Sequence, residues 1–310
     1  MRIDKKAFTL LELLVSISLI MLLVSFVAVS LRGVRASASR AESLSALRQM
    51  TLAYASYSAD HNQRLMPGYL DQEFLVKLDI TARLPDGTEL DQCDGQICDR
   101  SSYVWRLAPY VDNAWQTFYV DLRDAGLLTR LQAKHDQAPP VLGPAGDPDS
   151  GGISERPAFG MNSIFVGGDT THGGSAVTPF HPWNTAGNDS IAATRLSHVK
   201  NPSRLILFAP ATKVGGDDTV GGFCELRPPF LPDDNGDWTL QQWRIEPGGT
   251  IDFVGQATEA GQPVDRSGKG ILPVALLDGS SGIEPFANLA TDMRRWNPFE
   301  VGRRQTQPAP

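Results

Sequence analysis

Residues Phe8 to Leu31 read FTLLELLVSISLIMLLVSFVAVSL, an apolar run broken by one charge, Glu12. As a helix it would measure about 36 Å at ~1.5 Å per residue, enough to cross a hydrocarbon core of ~30 Å. Ahead of it lie Arg2, Lys5 and Lys6 against Asp4. Three readings compete. A cleaved secretory signal has the basic start, but the run exceeds its usual ~7–15 apolar residues; the nearest cleavage site is Ala36-Ser37-Ala38. A plain signal anchor is the second. The third must account for Glu12, because a carboxylate in a membrane segment costs on the order of a few kcal/mol and normally has a partner or a purpose. Positive charges flank both ends, with Arg32, Arg35, Arg40 and Arg48 beyond the run, so the positive-inside rule does not fix orientation.

The decapeptide Lys5-Lys6-Ala7-Phe8-Thr9-Leu10-Leu11-Glu12-Leu13-Leu14 resembles the class III signal of type IV prepilins and type II secretion pseudopilins. In that family a short basic leader ends in a small residue, usually Gly and here Ala7, followed by FTLxELL. The resemblance implies cleavage by a prepilin peptidase between Ala7 and Phe8 on the cytoplasmic side, N-methylation of Phe8, and retention of the apolar stretch. Glu12 becomes the fifth mature residue, which in the family neutralises the N-terminal ammonium of a neighbouring subunit. Opposite charges attract strongly where the dielectric is low, and each alone is expensive there. The implied location is the inner membrane, single-pass, with the head in the periplasm. The implied partners are the peptidase, other pilin or pseudopilin subunits and an inner-membrane assembly platform. The function implied is assembly into a type II secretion or type IV pilus-like filament, not catalysis.

Beyond Leu31 the helical pattern turns amphipathic: Leu44, Leu47, Thr51, Tyr54 and Ser58 follow a 3–4 spacing. The helix is expected to end near Asp60-His61-Asn62, and Met66-Pro67-Gly68 is a firm stop. A short coiled-coil stalk is the alternative for this stretch. The expected fold is α+β and pilin-like: a long N-terminal helix, transmembrane in its first half, packed on an antiparallel β-sheet with long loop insertions. The expected organisation is a cleaved leader 1–7, a transmembrane half 8–31, an amphipathic half 32–62, a periplasmic head 63–302 and a disordered tail 303–310. Short β-branched or aromatic runs between Gly/Pro turns predict strands at Tyr103–Leu107, Thr117–Leu122, Ser163–Val166, Arg204–Ala209, Thr250–Val254 and Ile271–Leu277. Helices are predicted at Phe74–Leu78 and around Leu122–Lys134. Residues 139–190, about one third Gly or Pro, read as a long irregular insertion. Four further segments resemble those of larger prepilin-like proteins: Tyr54–Asn62, Phe159–Ser163, Asn201–Ala209 and Val274–Gly279. One such group has a His ten positions before the Asp of the last segment; here that position is Gly268.

The chain carries 28 Lys+Arg against 35 Asp+Glu, a formal charge of -7, which argues against a nucleic-acid partner. Three cysteines are too few for a disulfide-built scaffold. Cys93 and Cys98, in CDGQIC, would close a small disulfide loop outside the inner membrane, with free thiols or a metal as alternatives; Cys224 is expected to be buried and inert. Asp233, Asn235 and Asp237 in PDDNGDW alternate like the start of a calcium loop. Trp238 and Arg244 stand where an EF-hand needs Gly and Glu, so the set is a calcium candidate without that motif, and a solvated acidic turn is the alternative. The five His are scattered with no HExxH, and no GxSxG, Walker A or GxGxxG occurs. No catalytic residue and no cofactor is assigned. The rival to a filament subunit is a membrane-anchored envelope enzyme or binding protein processed by the same route.

Overall fold

A run of Leu, Ile, Val, Ala and Ser free of proline favours helix, and in the computed structural model the chain forms one helix, α1, from Leu10 to Asp60. The structure describes residues 10–70 (27–36 as backbone), 83, 87, 102–120, 126–135, 154, 156–168, 192–213, 222–231, 240–246, 251–254 and 261–299. Chain contacts divide it into two units, Met1–Ala41 and Glu42–Pro310.

In the first unit the large apolar side chains from Leu10 to Phe26 are all exposed, from 46% at Ile17 to 81% at Leu10. Among the described residues no helix is long and apolar enough to cross a membrane. The stretch Leu10–Phe26 covers about 25 Å at ~1.5 Å per residue, short of the ~30 Å core; the expected span Phe8–Leu31 runs past it at both ends.

In the second unit the rest of α1 is amphipathic. Leu47, Met50, Thr51, Ala53, Tyr54, Tyr57 and Ser58 are buried, whereas Leu52 is 64% exposed. The expected face is therefore present, with Leu44 only half-buried. The sheet beneath is antiparallel and five-stranded, in the order β1-β2-β8-β9 with β7 also on β2. The strands are β1 (Phe159–Met161), β2 (Ile206–Lys213), β7 (Gly261–Pro263), β8 (Ile271–Leu276) and β9 (Ser281–Pro285). The central strand β2 is apolar almost throughout and buried on both faces, the pattern of a strand covered on two sides.

Pro210 stands in the middle of β2 without breaking the sheet, and the register shows why. On one edge β1 pairs with Phe208–Pro210. On the other edge β8 pairs at Ile206 and Phe208, and β7 takes over at Ala211. Pro210, which has no N–H to donate, falls where one partner strand gives way to the next. Two small hairpins complete the β-structure: β3 (Phe230–Leu231) with β4 (Leu240–Gln241), and β5 (Trp243–Ile245) with β6 (Ile251–Phe253). The core is aromatic: Tyr54 meets Phe208 edge-on at 6.0 Å, Trp105 meets Trp115 at 4.9 Å, and Trp243 packs between Phe286 and Trp296.

Several sequence expectations need correction. Tyr103–Leu107 is not a strand but a helix, α2, with all five residues buried. Ser102 caps it, its Oγ accepting from Val104 N at 3.3 Å. A short, wholly buried apolar run has no period to separate strand from helix, and the capping serine was the decisive signal. Thr117 and Phe118 lie in a 3-10 turn, Trp115–Phe118, rather than at the start of a strand. Ser163–Val166 is a turn carrying one bridge, Val166 to Ala193; the strand lies just before it, at β1. The expectations at Arg204–Ala209, Thr250–Val254 and Ile271–Leu277 correspond to β2, β6 and β8. The helix around Leu122–Lys134 corresponds to α3, Leu127–His135. A helix following β9, α4 (Phe286–Thr291), was not anticipated. The helix expected at Phe74–Leu78 and most of 139–190 lie outside the described residues.

Candidate functional site: the N-terminal apolar helix

Glu12 sits in the first turn of α1, where a carboxylate is favoured by the helix dipole. The serines of this stretch are held by their own backbone. Ser16 Oγ donates to Glu12 O (2.7 Å), Ser18 Oγ to Leu14 O (2.8 Å) and Ser25 Oγ to Met21 O (2.8 Å). Each hydroxyl is thus satisfied without water or a neighbour, the condition for sitting in an apolar medium at low cost. What the helix offers to its surroundings is a sleeve of exposed Leu, Ile, Val, Met and Phe with one carboxylate near its start. Such a surface can partition into lipid or pack against like helices.

The other expected site residues are placed as follows. Ala7 and Phe8 precede the described residues. Cys93 and Cys98, and the calcium candidates Asp233, Asn235 and Asp237, also lie outside them. Cys224 is a buried thiol, as expected. Among the described residues no group of three or more His, Cys, Asp or Glu could hold a metal.

The head contains polar arrangements that sequence reading missed. Arg227 Nε donates to Glu225 Oε1 at 2.5 Å, both side chains at most 3% exposed, and Arg227 Nη1 donates to Gln242 Oε1 at 3.3 Å. The E-x-R spacing puts both on one face of an extended segment, a signal present in the sequence but too common to single out. Arg106, also buried, donates from Nη2 to Pro67 O (2.7 Å) and Gly68 O (3.1 Å) and so ties α2 to the chain leaving α1. Burial pushes the phenols of Tyr54 and Tyr103 well above the ordinary tyrosine value. Burial, followed by a hydrogen bond with Asp60, pushes Tyr110 up to about 12. These phenols stay neutral and serve packing.

Residues 2–28 match the family model of the prokaryotic N-terminal methylation motif. Neither the curated proteins nor the solved structures gave a match. The matched residues contain the basic leader, the junction at Ala7 and Phe8, and Glu12 with most of the apolar run. The chain therefore carries a prokaryotic N-terminal methylation motif over residues 2–28, consistent with the class III signal of type IV prepilin-like proteins.

Proposed function

We propose that this protein is a pseudopilin or minor-pilin-like subunit of a type II secretion or type IV pilus-like filament. The observation that carries the reading is the methylation motif at residues 2–28, whose helix presents exposed apolar side chains and Glu12. The prepilin is held in the inner membrane by Phe8–Leu31, with its leader in the cytoplasm and its head in the periplasm. Prepilin peptidase cuts between Ala7 and Phe8 and the new amino group is methylated. The assembly platform then moves the subunit into a filament whose core is made of such helices. In that apolar core Glu12 meets the terminal ammonium of a neighbour, and the pair is far cheaper than either charge alone. The antiparallel head faces outward to neighbouring subunits or cargo. There, the Cys93–Cys98 bridge and a calcium ion at Asp233, Asn235 and Asp237 would stiffen its loops.

The test is Glu12→Gln in the native host. The expected result is a protein still cut and methylated at Phe8 but at least tenfold depleted from the sheared filament fraction, an interaction of order 1.4 kcal/mol or more. Incorporation equal to the wild type would remove Glu12 from the assembly step, and absence of the wild-type protein itself from the sheared filament fraction would remove the filament reading.

A further inference from the structure

The chain leaving α1 makes an unusual turn. His61 N donates to Tyr57 O (3.0 Å) and Gln63 N to Ser58 O (2.7 Å), a helix closure that normally uses glycine. Here Asn62 (φ 54°) and Gln63 (φ 61°) are both left-handed. That region is unfavourable for residues with a Cβ, and two in succession are rarer than one. His61 anchors the turn, stacked on the Tyr57 ring at 3.9 Å with its Nδ1 2.8 Å from Tyr57 O.

The strained turn has a consequence at the surface. Leu65 N donates to Thr194 O and Leu196 N to Gln63 O, both at 2.9 Å, and between those bonds Arg64 lies directly opposite Arg195 in an antiparallel bridge. This is the narrow, non-hydrogen-bonded kind of pair, with Cα atoms about 4.5 Å apart and side chains on the same side. Both arginines are exposed, and no carboxylate among the described residues pairs with either. Like charges in this position repel, so the fold places two arginines opposite each other at a cost. Strain and repulsion at one surface point mark a site shaped for something else. Leu196, the next residue in the chain, is an apolar side chain 37% exposed.

Two adjacent guanidinium groups suit oxyanions held bidentately. The chain itself supplies the complement: it is acidic, with a formal charge of -7, and it has a dense run of carboxylates at Asp86, Glu89, Asp91, Asp94 and Asp99. That run includes two apolar residues, Leu90 and Ile97, which offer the exposed Leu196 a contact that inorganic phosphate does not. We propose that Arg64 and Arg195 form a receptor for a carboxylate-rich segment of a second copy of this chain, a head-to-head contact of the assembly. The proposal rests on the reading of the chain as an assembling subunit.

The test is sedimentation of the full-length protein in detergent micelles at low and at high salt, with the double variant Arg64→Gln/Arg195→Gln. The expected result is salt-sensitive self-association of the wild type, weakened about tenfold in the variant, the scale of losing charge-assisted hydrogen bonds. The variant's thermal midpoint should be equal or higher, because the repulsion is gone; this separates loss of the receptor from loss of the fold. The double variant Arg64→Lys/Arg195→Lys, which keeps the charge without the fork, should fall between the two. Self-association unchanged in the glutamine variant would overturn the proposal. So would arginine-dependent binding to phosphatidylglycerol vesicles with self-association unaffected, which would make lipid phosphate the ligand. Mass measurement of the N-terminus on the same samples keeps the two claims apart. Arginine-dependent association of an unprocessed chain would sustain the receptor and remove the pilin-type reading, and arginine-independent association of a processed chain would do the reverse.

Discussion

The Glu225–Arg227 pair is the residue whose loss the head should feel most. Both side chains are almost fully buried, and Arg227 also donates to Gln242. Removing one partner leaves the other charge uncompensated in the interior, which costs about 3–5 kcal/mol, whereas replacing both by apolar residues of similar volume is often near neutral. Glu225→Ala should therefore lower the unfolding free energy measured by urea titration by about that amount, and Glu225→Met/Arg227→Leu should recover most of it. A single variant as stable as the wild type, or a double variant no better than the single, would show that the pair does not hold the segment in place.

Among the elements, an irregular segment is closely packed against the strands. Residues Cys224–Arg227 bond to two strands that pair with β2, β1 and β7. Met161 N donates to Cys224 O (2.9 Å) and Leu226 N to Met161 O (2.8 Å) at β1, and Arg227 N donates to Gly261 O (3.0 Å) at β7. Gly261 is required by that closeness, since a Cβ on it would lie 1.7 Å from Glu225 O. Gly261→Ala should push the segment off β7 and destabilise the head by about 1–3 kcal/mol, the usual range for overpacking a filled site, measured by chemical unfolding. A midpoint unchanged from the wild type would contradict the packing described. At this scale the sequence was legible where a period existed. The 3–4 spacing marked the buried face of α1, and the β-branched runs marked β2, β6 and β8. It was silent where burial is total or pairing is distant. YVWRL reads as a strand because five residues, four of them apolar, show no helical period. The three-residue strand at Phe159–Met161 was placed a few residues late, within a Gly- and Pro-rich stretch. Likewise Arg64 and Arg195, 131 positions apart by their numbering, meet only through a bridge that no local pattern announces.

For the whole molecule, the determining feature is confined to its first 28 residues. Ten of them, Lys5–Leu14, were sufficient to suggest the processing signal, and the methylation-motif match covers the same ground. This part of the site was readable because a peptidase signal is linear: leader, small residue, Phe, and an acid at a fixed spacing. The contacts within residues 42–299 are not linear and had no such local pattern. The acidic balance of the chain, -7 overall, matters here as the complement of its arginine pair rather than as a bar to nucleic acid alone. The central claim is that the chain is a pilin-type precursor. Mass spectrometry of the N-terminal peptide of the protein purified from native membranes tests it most directly. The account predicts a peptide beginning at N-methylated Phe8, with residues 1–7 absent. An intact Met1, or a start near Ala36-Ser37-Ala38, would contradict it.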